Sequence, residues 1–92
     1  MRERWSLLKV LGEVATGDGW AWESEASWLW EQQPEYMAAL EREISRDGIQ
    51  EPIEIAATAD GRYRMWNGHH RVVIARWLGL SDIPVEVFGE AA

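Results

Sequence analysis

The sequence predicts a small mixed α+β domain, a short sheet packed by helices, from three observations. The chain has 92 residues, 47% hydrophobic and 27% charged, without cysteine, so one thin core must form without disulfides or cysteine-held zinc. Apolar residues recur at helical spacing at Met37, Leu40 and Ile44, and again at Ile74, Trp77 and Leu78 with Val73 adjoining. Around the second of these runs, Ile53 to Ile55, Tyr63 to Trp66 and Ile83 to Phe88 read as strands.

Trp5 to Leu11 has room for a short strand, after which Gly12, Gly17, Asp18 and Gly19 are expected to break regular structure. Trp20, Trp22, Trp28 and Trp30 follow, four of seven tryptophans; they either thicken the core or form an aromatic platform for a partner. Pro34 suits a first helical position, Glu35 puts negative charge in the first turn and Gly48 supplies a stop, which predicts a helix over Pro34 to Asp47. Asp60-Gly61 is a turn signal between the first two core strands, although Ala56 to Ala59 has weak strand propensity. Asn67-Gly68 opens a strand-to-helix turn, His69 to Leu78 is the second helix, and Gly79 ends it with Leu80 placed for a capping contact. Pro84 in the last strand suggests limited pairing or an edge position. The expected organisation is an acidic, tryptophan-rich region over 1–33 packed on a core over 34–88.

The formal charge of -7 repels a phosphate backbone at long range. No apolar run approaches a membrane span and no secretory leader is visible, so the expected compartment is cytoplasmic, with no membrane partner. Charge is uneven, however. Val10 to Glu41 carries seven acids and no lysine or arginine, whereas Gly61 to Ser81 carries Arg62, Arg64, Arg71, Arg76, His69 and His70 and no acid. Such a cationic island can attract an anion to an acidic protein.

The stretch Asn67-Gly68-His69-His70-Arg71 is the strongest candidate site. Amides at a helix start, with histidine and arginine beside them, suit phosphate. Gly68 lets the backbone approach a ligand, Arg71 offers a fork of donors, and Arg62 or Arg64 can reach the same mouth from the preceding strand. The plainer alternative is that the histidines solvate the helix start while Arg71 pairs with an acid. Adjacent histidines point about 100 degrees apart on a helix, so no dedicated metal site is expected without distant help from Glu51 or Asp60. Magnesium carried by a nucleotide is compatible. Whether the chain is an enzyme stays open: His70 can move a proton near neutral pH, but Ser24, Ser27, Ser45 and Thr58 lie in no nucleophile motif.

The order and spacing resemble the N-terminal domain of the ParB and sulfiredoxin-like superfamily. The matching frame holds Leu40 and Ile44, then Gly48-Ile49-Gln50-Glu51-Pro52-Ile53, Tyr63 to Trp66, Gly68-His69-His70-Arg71, Trp77-Leu78-Gly79-Leu80 and Ile83-Pro84-Val85-Glu86-Val87. The resemblance implies a compact nucleotide-binding fold whose Gly-x-x-Arg turn contacts phosphates. In sulfiredoxins the residue after the glycine is the reactive cysteine; here it is His69, so sulfinic-acid reduction is not expected, while His70 and Arg71 match the residues that follow it. ParB-type clamps usually carry Gly-Glu-Arg-Arg at this turn and glutamine where this chain has Glu51, and the sequence stops at Ala92 with no helix-turn-helix. Sequence-specific DNA binding by this chain alone is therefore not expected. Stand-alone domains of this sort resemble phage proteins.

The expected function is a stand-alone ParB-like domain binding a nucleotide or other phosphorylated ligand at Gly68 to Arg71, with Glu51, Arg62 and Arg64 contributing and a nucleoside triphosphate with magnesium as cofactor. The alternative is a non-enzymatic protein-interaction or nucleic-acid-mimic protein, of a viral kind, that acts through its acidic, tryptophan-rich front.

Overall fold

A computed structural model describes residues 2–17 and 19–89. Its elements run β1 (Arg2–Ser6), α1 (Leu7–Glu13), β2 (Val14–Ala15), α2 (Trp22–Gln32), α3 (Pro34–Asp47), β3 (Ile53–Ala57), β4 (Tyr63–Asn67), α4 (His69–Leu78) and β5 (Asp82–Gly89). The strands form one mixed sheet in the order β1-β5-β3-β4-β2. β1 and β5 are antiparallel, β5 and β3 parallel, β3 and β4 antiparallel, and β4 and β2 parallel. The α+β architecture predicted from periodicity is the one observed.

α3 and α4 match their expected bounds. Pro34 sits at the start of α3, and Met37 and Ile44 are buried on its inner face. α4 ends in a left-handed Gly79 whose N–H reaches the carbonyls of Ala75 and Arg76, while Leu80 N–H bonds Ala75 O at 3.0 Å and its side chain packs on the core.

Trp77, expected inside with Ile74 and Leu78, is instead exposed; its indole N–H donates to Glu41 and its ring lies 5.3 Å from Trp30. The reason is that α4 buries four consecutive residues, Val72 to Ala75. It packs against β3 below and against α1, α2 and α3 around it, so its inner surface is wider than a single helical stripe.

The front of the chain departs most from expectation. The strand occupies Arg2–Ser6 and a helix follows at once, running through Gly12. Ser6 caps this helix by accepting from Lys9 N–H at 3.1 Å, and Leu7 and Val10 are buried three residues apart. α2, also unforeseen, buries Trp22, Glu25, Ala26 and Leu29 at helical spacing behind Glu23 and Glu25 in its first turn. The break expected at Asp18 lies outside the described residues. β5 is an interior strand and not an edge. Pairing with β3 begins only at Val85, however, so at Pro84 the strand has a neighbour on one side only, which is where a missing N–H is tolerated.

One core joins the layers: Ile53 and Ile55 of β3, Met65 of β4, and Ile83 and Val85 of β5 meet Met37, Val72, Ile74 and Val10 from the helices. Alternation puts Arg64, Trp66 and Phe88 on the opposite sheet face, where the two aromatic rings lie 5.8 Å apart. Among the described residues no helix is long and apolar enough to cross a membrane.

Candidate functional site

The turn from β4 into α4 is built around close packing. Gly68 adopts a left-handed conformation (φ 114, ψ 19), and a Cβ there would lie 2.8 Å from Ile53 Cγ2 and 3.2 Å from Arg71 Nη2. β3 therefore presses directly on the helix start, with no room for a side chain. The first intrahelical bond runs from Val72 N–H to Gly68 O at 3.1 Å, and no side chain caps the end. The amides of His69, His70 and Arg71 thus precede the helical ladder, where an anion is favoured by both donors and dipole.

Of these three residues, His70 and Arg71 line a cleft of about 440 Å³. Tyr36, Leu40, Glu43 and Ile44 of α3 form one wall, the 48–51 loop another, and Asn67, Gly68, His70 and Arg71 the third. Arg71 Nη1 donates to the carbonyl oxygens of Glu51 and Pro52, each at 2.9 Å. Among the described residues Arg71 has no carboxylate partner, so its charge is not cancelled by an ion pair.

His70 donates from Nε2 to the side-chain oxygen of Gln33 at 2.7 Å, and its ring meets Tyr36 edge to face at 4.9 Å. Burial, and then the neighbouring positive charges of His69 and Arg71, hold its pKa below the ordinary 6.5. Between the folded value and 6.5 the unfolded chain binds the proton more readily than the native one. Its contribution to stability is therefore present above about pH 6.5 and lost as pH falls toward the folded value. Urea unfolding across that window should show a fall in stability on acidification that is smaller in His70→Asn than in the native chain.

The anticipated site residues fall in three places. Glu51, Gly68, His70 and Arg71 share the cleft just described. His69 turns away from it, donating from Nε2 to Thr16 O with its ring 5.9 Å from Trp22. With Arg64, Thr16 and Trp66 it lines a second cleft of about 340 Å³. Arg62 stays on the β3–β4 turn beside Asp60 at 3.6 Å and borders neither cleft. Sequence reasoning missed Tyr36 and Gln33, which α3 and its entry bring to His70, and Glu43, which lines the same cleft. Gln33 is 37 residues from His70 in sequence, and no local pattern announces the contact. Among the described residues no group of three or more histidine, aspartate or glutamate side chains is arranged for a metal ion.

The profile of the ParB N-terminal domain family matches residues 24–89. No curated protein matches the sequence. Among solved structures, sulfiredoxin from Arabidopsis thaliana superposes with a TM-score of 0.66 at 22% identity, covering 98% of this chain and 86% of that one. The C-terminally truncated chromosome-partitioning protein ParB from Caulobacter crescentus, complexed with CTP-γ-S, gives 0.67 at 18% identity over 99% of this chain. This chain spans only 46% of that ParB chain. At these identities the two structures speak for the fold, a small domain with a mixed sheet and helices of the kind both proteins share. The family profile covers the cleft-forming elements α3, β3, β4 and α4 in full, and the chain belongs to the ParB N-terminal domain family.

Proposed function

We propose that this domain binds a nucleotide or another phosphorylated ligand in the cleft at the start of α4. The observation that carries the reading is the convergence of uncapped helix-start amides, His70 and an unpaired-with-acid Arg71 on one 440 Å³ cleft. The CTP-γ-S bound to the Caulobacter ParB supports a nucleoside triphosphate as the ligand to try first. Gly68 lets the helix start pack against β3, Arg71 supplies positive charge, His70 adds to it once protonated, and Glu51 borders the phosphates. Within this reading His69, Arg64 and Arg62 lie outside the contact set.

Glu43 and Glu51 also face the cleft, so a bare triphosphate meets like charge as well as opposite charge. Magnesium offsets that repulsion. The described residues build no metal cage, so the ion would arrive with its ligand, held by phosphate oxygens and water. A bound phosphate favours protonated His70, so affinity should rise as pH falls through the window below 6.5.

Calorimetry with ATP, CTP, GTP and UTP, with and without magnesium, tests the reading. Saturable binding by the native chain, weakened about tenfold or more in Arg71→Ala, is the expected result. No heat with any of the four overturns the triphosphate form of the proposal.

A second reading, capture of a protein partner by the acidic front, is favoured by Trp20 and Trp28. Both are about half exposed, and they pair edge to face at 6.2 Å. Trp22, earlier grouped with them, is buried and donates its indole N–H to Val14 O at 2.9 Å. Partner capture that survives Arg71→Ala and fails in Trp20→Ala would support this reading over the first.

A further inference from the structure

The guanidinium of Arg71 faces two ways. Nη1 holds the carbonyls of Glu51 and Pro52, each at 2.9 Å. Nη2 lies at the helix start, 3.2 Å from where a Gly68 side chain would begin. One rigid, planar group therefore spans from the loop to the helix start, in a residue that lines the cleft. The loop it holds joins α3 to β3 and carries no regular structure of its own over 48–52.

The same loop divides two cavities. Glu51, Asn67 and Arg71 border both the cleft at the start of α4 and a further cleft of about 320 Å³, which Glu54, Glu86 and Phe88 line. Pro52 borders only the second. It can therefore affect a ligand in the first cleft through Arg71 without touching it.

We propose that Arg71 is a positioning residue as well as an anion contact: by anchoring the Glu51–Pro52 loop with one nitrogen it orients the other toward the ligand, so loop order and anion affinity are coupled. This rests on the reading that the cleft binds a phosphorylated ligand. Linkage then runs both ways. A bound anion fixes the guanidinium and tightens the loop, and loosening the loop weakens the anion.

Two measurements on the whole chain separate this inference from the reading beneath it. In the ligand-free protein, ¹⁵N relaxation should show the amides of Ile49, Gln50 and Glu51 losing order in Arg71→Met while α4 and the sheet keep theirs. Unchanged loop order, or a uniform loss across the domain, overturns the anchoring. Calorimetry with magnesium CTP and with pyrophosphate then compares the native chain with Pro52→Gly, which alters neither charge nor any residue of the first cleft. Affinity lower by about fivefold or more, with a cooperative thermal transition retained, is the expected result. Equal affinity overturns the coupling. Failure of the native chain to bind either probe removes the anion site, and the coupling with it, whereas the anchoring still stands or falls on the relaxation data.

Discussion

Gly68→Ala is expected to destabilise the domain by about 3 kcal/mol, from strain at a left-handed backbone added to overpacking of the core. The new methyl would lie 2.8 Å from Ile53 Cγ2 and 3.0 Å from Ile53 Cβ. Ile53 is fully buried at the start of the pairing between β3 and β5, so it has no free space to move into. Gly79 provides the control. It too is left-handed, but a Cβ there meets nothing within 4 Å, so Gly79→Ala should cost only the backbone term of about 1 kcal/mol. In thermal melts of a domain this size the first change corresponds to a drop of roughly 12–24 °C. Equal shifts in the two variants would mean that the helix start does not pack on β3 as described.

Trp22→Ala is expected to cost about 4 kcal/mol, in the range for deleting a large buried aromatic. The side chain is nearly fully buried, its N–H is spent on Val14 O and its ring lies beside His69. Truncation opens a cavity, removes a donor from the Val14 carbonyl of the short strand β2 and loosens the support of α4 at once. Trp20→Ala removes an exposed ring whose main aromatic partner is Trp28, and should cost about 1 kcal/mol or less. Since a small domain holds only about 5–15 kcal/mol in total, urea unfolding should separate the two variants clearly. Similar midpoints would return Trp22 to the role of a partner contact.

That contrast shows what was legible in the sequence. α3 was, because Pro34, Glu35, the spacing of Met37, Leu40 and Ile44, and Gly48 agree with one another. β3, β4 and β5 were, because short alternating runs were bounded by turn residues. The front was not. α1 is a seven-residue helix carrying a glycine, too short for periodicity to outweigh the breaker. α2 does bury Trp22, Ala26 and Leu29 on one face, but Trp28 and Trp30 on its other sides and a buried Glu25 blur the stripe. Interior position of β5 was hidden for a different reason, since Pro84 marks a local gap in pairing and not the place of the whole strand.

The site was readable as a segment and unreadable as a constellation. Gly68 to Arg71 stood out through turn chemistry and charge. Their partners come from 20, 37 and 53 residues away: the Glu51 carbonyl for Arg71, Gln33 for His70 and the Thr16 carbonyl for His69. Two of those contacts are to backbone carbonyls, which every residue offers, so no residue type could announce them. Topology alone decides that His70 and Arg71 face one cleft while His69 faces another.

The most direct test of the central claim is a ¹⁵N-¹H titration of the full chain with magnesium CTP, followed residue by residue. Binding at the start of α4 predicts saturating shifts concentrated on the amides of Gly68 to Arg71 and of Gln50 and Glu51, lost in Arg71→Ala. Shifts confined to Trp20 and Trp28, or none at any residue while the native spectrum stays intact, would contradict it.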